Sequence, residues 1–297
     1  MLGLGTTVNS LRSLSRSLIG YVSMAVPSSA LLFAPVVYRH WGISLGELWS
    51  TIAMYTITGL GVTIGYHRVL SHRSAHLSEK ARTAILCAAA MAMQGPPTFW
   101  VAYHRAHHAD PDGTADPHTP WGSGNRCTIG SILYSHFGWM LQQARFSPRL
   151  TRDLRSDEAV RRIDRHYHAL ILLGLFIPVA ALSAFEPHRV LLALYWAGAV
   201  RLGLLHHATW LVNSACHLWG YRNFSTRDQS RNNVLVALLT FGEGWHNNHH
   251  ARPDAANHGL RRWEVDATYA AICLLERLGF AQNVRHWREP SGARPNG

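Results

Sequence analysis

Lysine is almost absent from this chain: its 28 basic residues are Lys80 and 27 arginines, set against only 17 Asp and Glu in 297 residues. The shortage of acid leaves a formal net charge of +11 and a pI near 10.1. Nucleic-acid binding is the first expectation from such a balance. It is set aside here, because the arginines are distributed around apolar blocks rather than gathered into one basic stripe. Cysteine is also scarce. Cys87, Cys127, Cys216 and Cys273 are scattered with no C-x-x-C pair, so neither a disulfide framework nor a zinc ribbon is indicated, and they are expected to be reduced, buried small residues. No haem-attachment motif or cysteine-rich cluster is present, so the chain carries no electron-transfer group of its own. Internal repeats and low-complexity tracts are lacking too.

What is present is apolar sequence in blocks. A mean hydropathy of −0.04 hides four stretches close to the length that crosses a bilayer. The first runs over about 18–38 and the second over about 45–66, entered through Ser44 and Glu47 as an S-x-x-E capping box. The third covers about 168–185, the last part of a helix that begins at Ser156-Asp157-Glu158, and the fourth about 189–211. Pro27 and Pro35 are tolerable in a span whose neighbours re-satisfy the backbone. Arg12 and Arg16 before the first block resemble the start of a signal peptide, but further spans follow, so a retained first span is expected. Residues 3–17 are expected as an interfacial helix or as disordered chain. A short helix over Arg82 to Gln94 is expected to lie on the membrane surface or against the protein. The loop from Asp110 to Asn125 is rich in turn formers.

Basic residues follow these blocks. Thirteen lie between 67 and 167 and ten after 212, while the tight turns near 39–44 and 186–189 are nearly bare. The positive-inside rule then places both termini in the cytoplasm. The expected fold is a single all-α membrane domain over 1–297: four transmembrane helices in two hairpins, with a helical cytoplasmic cap formed by 67–167 and 212–297. Trp41, Trp49, Tyr38 and Tyr66 suit the membrane interface.

The cap holds most of the 20 histidines. His104-Arg105-Ala106-His107-His108 and His246-Asn247-Asn248-His249-His250 both spell H-x-x-H-H, which on a helix places three imidazoles on one face. His67-Arg68-Val69-Leu70-Ser71-His72 and His217 add three more. Nine histidines are too many for one tetrahedral zinc, and two metals would each receive four or five nitrogens. All-imidazole ligation with open positions suits iron, though zinc, copper and nickel accept it as well. A divalent-metal transporter is the alternative from another class, but it would need ligands near the bilayer midplane, whereas these cluster beyond the span ends.

The trio H-R-x-x-S-H, H-R-x-H-H and H-N-x-H-H, the last within Gly242-Glu243-Gly244-Trp245-His246, resembles the membrane fatty acyl desaturases of the stearoyl-CoA Δ9 type and their bacterial relatives. So does Asn213-Ser214-Ala215-Cys216-His217-Leu218-Trp219-Gly220. The resemblance implies two non-haem irons that use O2 and two external electrons to place a cis double bond in a saturated long-chain acyl group. Carried over by motif, His67, His72, His104, His108 and His249 would hold one iron. His107, His217, His246 and His250 would hold the other, with Asn213 acting through water. Trp210 matches a position that bends the acyl chain, and Tyr55 is a candidate for closing the far end of the tunnel. Ala102-Tyr103 stand where animal acyl-CoA members carry an Arg-Asp pair, which turns the expected carrier from CoA toward lipid or acyl-carrier protein. Hydroxylation or acetylene formation by the same centre is the neighbouring alternative. A ferredoxin, rubredoxin or cytochrome b5 type donor, membrane lipid around the spans, and a bacterial inner-membrane location complete the expectation.

Among the other residues, Glu243 is expected either to accept a ring N–H from a ligand histidine or to cap a helix. Asp110, Asp112 and Asp116 are expected as turn formers, since the later Glu of an EF-hand is missing. His118 and His136 are expected as structural support, and His206 and His207, inside span four, as tunnel or supporting residues.

Overall fold

A computed structural model describes residues 4–122, 126–142 and 146–287. The end of the 110–125 loop and residues 288–297 of the expected cap therefore lie outside the described residues. Helix α1 (Leu4–Trp41) contains both Pro27 and Pro35 and is continuous from residue 4, so the opening segment joins the first span. Gly42, at φ 65°, turns the chain. Ser44 then starts α2 (Leu45–Leu60) with the expected box: its hydroxyl accepts the Glu47 N–H at 3.1 Å, and the Glu47 carboxylate accepts the Ser44 N–H at 2.8 Å.

The second span does not end at Tyr66. It continues as a π-helical segment over Gly61–Ser71, every residue of which is buried. An α-helix would splay residues five apart by about 140°, whereas i→i+5 bonding stacks them, as in the His72 N–H bond to the His67 carbonyl at 3.2 Å. The first histidine pair is thus aimed at one point by the backbone that carries it. Tyr66, expected at the interface, is fully buried with its ring 5.9 Å from Trp100. Close packing explains the glycine at the start of this segment: a Cβ on Gly61 would strike the Ala88–Ala89 backbone of the next helix.

Strand β1 (His76–Leu77) leads into α3 (Glu79–Ala90), which packs against the π-helical segment through Leu86, Ala89 and Ala90. Then come α4 (Pro97–Ala109), the two-residue strands β2 (Trp121–Gly122) and β3 (Arg126–Cys127), α5 (Ile129–His136), α6 (Arg152–Arg155) and α7 (Glu158–Ser183). Asp157 caps α7, its carboxylate accepting the Val160 N–H at 3.1 Å. Helix α8 (Val190–Ala193) runs through a π-helical turn, Leu194–Val200, into α9 (Arg201–Ser214). The chain ends with α10 (Val234–Leu239), α11 (His246–Ala251), α12 (Ala267–Arg277) and β4 (Ala281–Gln282), which pairs antiparallel with β1.

Among the described residues, four stretches are long and apolar enough to cross a membrane: Gly20–Trp41, Leu45–Ser71, Glu158–Ser183 and Pro187–His217. Their apolar side chains point outward in number, among them Leu32, Phe33, Ile57, Phe176 and Leu191, as suits helices solvated by lipid. Trp41, Trp49 and Tyr38 are exposed near the turn after α1. That turn meets the one after α7: Arg189 donates to Glu47 at 2.6 and 3.0 Å, and the Ser44 hydroxyl donates to Glu186 at 3.1 Å. Arg201, inside the fourth span, is fully buried. Its guanidinium donates to the carbonyls of Ala197, Met91 and Gly174 at 3.2, 3.1 and 2.9 Å, which joins α9 to the end of α3 and to α7.

The cysteines differ from expectation. Only Cys216 is buried, Cys87 and Cys273 are half-buried, and Cys127 is exposed.

Candidate metal centre

Three helical pieces and one turn deliver nine imidazoles to one place. His67 and His72 come from the π-helical segment and its end, His104, His107 and His108 from α4, His217 from the turn after α9, and His246, His249 and His250 from α11. Their ring nitrogens converge in two groups, His67 with His72, His104, His108 and His249, and His107 with His217, His246 and His250. Within each group the donor atoms lie within 4.8 Å of one another. Nε2 faces Nε2 throughout: 2.6 Å for His72 and His104, 3.1 Å for His67 and His249, 3.0 Å for His249 and His108, 3.0 Å for His217 and His246, and 3.3 Å for His107 and His250.

The opposite ring nitrogens explain the orientation. His107, His217 and His250 donate Nδ1–H to Asp116, Asp112 and Asp228 at 2.8, 2.9 and 3.0 Å, and His67 donates to Glu243. Once Nδ1 carries the proton, Nε2 presents a lone pair inward. Several lone pairs then meet at hydrogen-bond distance with too few protons to share, an arrangement that a cation between them satisfies. Burial, and next the neighbouring imidazoles, push His72, His104, His108, His246 and His249 well below the usual histidine range, so these rings are neutral and ready to ligate. Burial lowers His250 to about 4 against the pull of Asp228. At His107 burial is outweighed by Asp116, helped by Asp112 and Asp228, and the ring is raised. The donor set fits two borderline divalent ions with imidazole ligands.

Asp112 and Asp116 are thus more than turn formers, which extends the sequence-based expectation, while Asp110 serves the turn, accepting the Ala115 N–H at 2.9 Å. Each of the other two is fixed in its own right. Asp112 accepts the Gln229 N–H at 2.7 Å, and Asp116 accepts the backbone N–H groups of Asp112 and His118 at 2.8 and 3.0 Å. Outer carboxylates of this kind set ring orientation and basicity. Asp116→Ala and Asp228→Ala are each expected to weaken metal binding about 10- to 100-fold, measured by competition against a chelator, with Asp110→Ala unchanged.

The arginines within the motifs brace the backbone. Arg68 is fully buried and pairs with Glu243 at 3.0 Å and Asp266 at 2.9 Å, while also donating to the Ala256 carbonyl. Arg105 pairs with Asp153 at 2.8 Å and donates to the carbonyls of Leu70 and Leu150 at 2.6 and 2.7 Å. Six-residue α11 is too short to hold itself. Asn247 and Asn248 anchor it: both backbone N–H groups donate to Asn232 Oδ1, at 3.0 and 3.2 Å, and the Asn248 amide donates to Glu264 and the His258 carbonyl at 2.9 and 2.8 Å. His258 is buried with its ring 4.4 Å from His249.

A cavity of about 60 Å³ opens onto both groups. Gly59, Val62, Leu205, Val212 and Phe241 form its apolar wall, and His67, His104, His107 and His246 form its end. Asn213 lies on this wall, with its carbonyl accepting the Ser135 hydroxyl at 2.9 Å.

The pattern of the fatty acid desaturases matches residues 21–277. The chain belongs to the fatty acid desaturase family. It is 37% identical over 239 residues to the sn-1 stearoyl-lipid 9-desaturase of Anabaena variabilis, covering 79% of this chain and 82% of the relative. To the hex-5-enoyl-[acyl-carrier protein] acetylenase of Moorena producens it is 33% identical over 267 residues, covering 88% and 83%. To the acyl-CoA C20 Delta5-desaturase of Anemone leveillei it is 35% identical over 260 residues, covering 86% and 77%. Membership of this family makes the chain an oxidoreductase of lipid metabolism, its four apolar helices suit association with a membrane, and its histidine groups are compatible with metal binding.

Of the remaining expected residues, His118 lines the cavity, while Tyr55, Trp210, His136, His206 and His207 fall around it. Tyr55 packs on Phe241, ring centroids 5.7 Å apart, and its hydroxyl donates to the Leu239 carbonyl at 2.7 Å. Trp210 lies round α9 from Thr209 and Asn213, which line the cavity, and packs against His136, His206 and His207. His207 bridges Ser28 at 3.1 Å and His136 at 3.0 Å, and His206 Nε2 reaches the Ala92 carbonyl at 2.8 Å. Burial and His207 lower His136 to about 4, so it serves this bridge as a neutral ring. Tyr103, where a charged carrier contact was expected to be missing, is buried beside Phe99, Trp139 and Phe146.

Proposed function

We propose that this protein is an O2-dependent fatty acyl desaturase that introduces a cis double bond, of Δ9 position, into a saturated long-chain acyl group. The observation that carries this is the mainly apolar cavity lined by histidines of both groups, since a methylene chain is the substrate such a wall admits. His67, His72, His104, His108 and His249 would hold one iron and His107, His217, His246 and His250 the other. Two bound irons would activate O2, the oxidant, which with two electrons and two protons from outside takes two hydrogens from adjacent methylenes and leaves as two waters.

The chain's own residues perform the rest. Asp112, Asp116, Asp228 and Glu243 fix the imidazoles, and Asn213 stands at the cavity wall to hold water beside the second group. Gly59 leaves room for the Phe241 ring, so the Phe241–Tyr55 pair is placed to limit how deep a chain reaches. Trp210 supports the opposite wall through α9. Distance from the headgroup to the irons then selects the bond.

The spans are read as two hairpins, with the joined turns at Gly42–Ser44 and Phe185–Pro187 on the far side of a bacterial inner membrane. The histidines and both termini then face the cytoplasm, on the side rich in arginine. Electrons come from an external donor of ferredoxin, rubredoxin or cytochrome b5 type. The acyl group is carried on CoA, lipid or acyl-carrier protein, all three of which occur in the names of similar proteins, and Ala102-Tyr103, which offers no charged pair for CoA, favours the latter two.

Isotopically labelled acyl-lipid, acyl-carrier protein and acyl-CoA supplied to membranes containing the protein test this. The expected product is two hydrogens lighter than the substrate and forms first on lipid or carrier protein. A product one oxygen heavier would replace desaturation with hydroxylation. The similarity to an acetylenase favours a second reading, in which an already unsaturated chain loses two more hydrogens. Activity on monounsaturated acyl groups alone would establish it.

A further inference from the structure

Away from the histidine centre, a second set of unlike metal-ligating side chains converges at the other end of the chain. Cys273 and Glu276 lie three residues apart on one face of α12, and His286 returns to them from beyond β4. The Cys273 sulfur, a Glu276 oxygen and a His286 nitrogen lie within 4.8 Å of one another. None of the three takes part in the desaturase centre or its bracing.

His286 is delivered by backbone that is itself tied down. Gly279 at φ 78° and Asn283 at φ 51° fold the chain back after α12. The Arg285 N–H donates to the Ser74 carbonyl at 2.8 Å, and the Ala256 N–H donates to the Arg285 carbonyl at 2.8 Å. The ring is oriented at both nitrogens, with Nδ1 2.8 Å from the Tyr269 hydroxyl and Nε2 3.2 Å from Glu276. With a metal ion at Nε2, Nδ1–H would be donated to the Tyr269 hydroxyl and the Nε2 lone pair would face the Cys273 and Glu276 donors. This repeats the pattern of the desaturase centre, where an outer group holds one ring nitrogen and the other is left to ligate. The side chains are open to solvent, Glu276 at 36% and His286 at 31% exposure, so an ion can reach them.

We propose that Cys273, Glu276 and His286 form a zinc site separate from the desaturase centre. A thiolate, an imidazole and a carboxylate are the donors zinc combines, and three of them leave one tetrahedral position for water. The thiol excludes the hard ions magnesium and calcium, which take oxygen donors. On binding, the Cys273 proton passes to solvent and the thiolate joins the metal. No electron is exchanged. The bound ion fastens the returning tail to α12, and the tail's Arg285 carbonyl holds Ala256, whose own carbonyl accepts from Arg68.

Cobalt(II) tests the site, because a sulfur-to-cobalt charge-transfer band requires a cysteine ligand and the histidine centre has none. Iron-loaded, full-length protein in detergent, carrying Cys127→Ser to remove the exposed thiol, is titrated with cobalt. The expected result is a thiolate band that zinc abolishes and that is missing in Cys273→Ser. In Glu276→Gln and His286→Asn the cobalt affinity falls at least about tenfold, the loss expected even of an outer partner. Iron content equal to the parent's shows each variant to be folded. No thiolate band at excess cobalt, a band that survives Cys273→Ser, or affinity unchanged in both Glu276→Gln and His286→Asn would overturn the proposal.

Discussion

His217→Ala is expected to halve the iron bound per chain and to reduce double-bond formation to background. His217 sits in the four-histidine group, its Nε2 3.0 Å from His246 and its Nδ1 2.9 Å from Asp112. Removing it leaves three imidazoles and frees an Asp112 carboxylate that burial would otherwise raise and that His217 holds low. Even an outer partner of a ligand is worth about 10- to 100-fold in metal affinity, and a ligand is worth more. Metal analysis of purified protein, paired with product quantification, checks this. His76→Ala, an exposed histidine on β1, is the control and is expected to change neither. Full iron content in His217→Ala would remove this histidine from the centre.

Arg68→Met is expected to destabilise the protein by about 3–5 kcal/mol. The guanidinium is fully buried between Glu243 and Asp266, and both carboxylates lose their counter-charge when it goes. Glu243, whose carboxyl burial would raise, is held low by His67 and then Arg68, so without Arg68 its grip on His67 changes as well. Unfolding of detergent-solubilised protein measures the loss. The double variant Arg68→Met/Asp266→Asn is expected to cost less than the sum of the single ones, because the second change removes the charge that the first left bare. Strict additivity would mean that the pair is not coupled.

The sequence conveyed the local parts of this structure well. Convergence within His104-Arg105-Ala106-His107-His108 follows from helical spacing alone, as does the Ser44–Glu47 cap, since each depends on residues at most four apart. The apolar blocks were visible for the same reason: length and hydropathy are properties of continuous chain. Tyr66 was misplaced because the span was taken to end where polarity began. In fact the backbone changes to π-helical bonding at Gly61 and continues buried through Ser71. Asp112 and Asp116 were read as turn formers because aspartate serves both purposes and only the fold brings His217 and His107 to them. Asp228 stands in Arg227-Asp228-Gln229-Ser230 with no pattern to mark it, and its partner His250 lies 22 residues away. Arg201 stands in span four with no pattern to mark it. Two of its carbonyl partners, Met91 and Gly174, come from the end of α3 and from α7, beyond the reach of any spacing rule.

Anomalous X-ray scattering at the iron edge from crystals of the purified protein tests the central claim most directly. The account predicts two iron peaks, one among His67, His72, His104, His108 and His249, the other among His107, His217, His246 and His250. A single peak, or two peaks that respond at the zinc edge and not the iron edge, would contradict it.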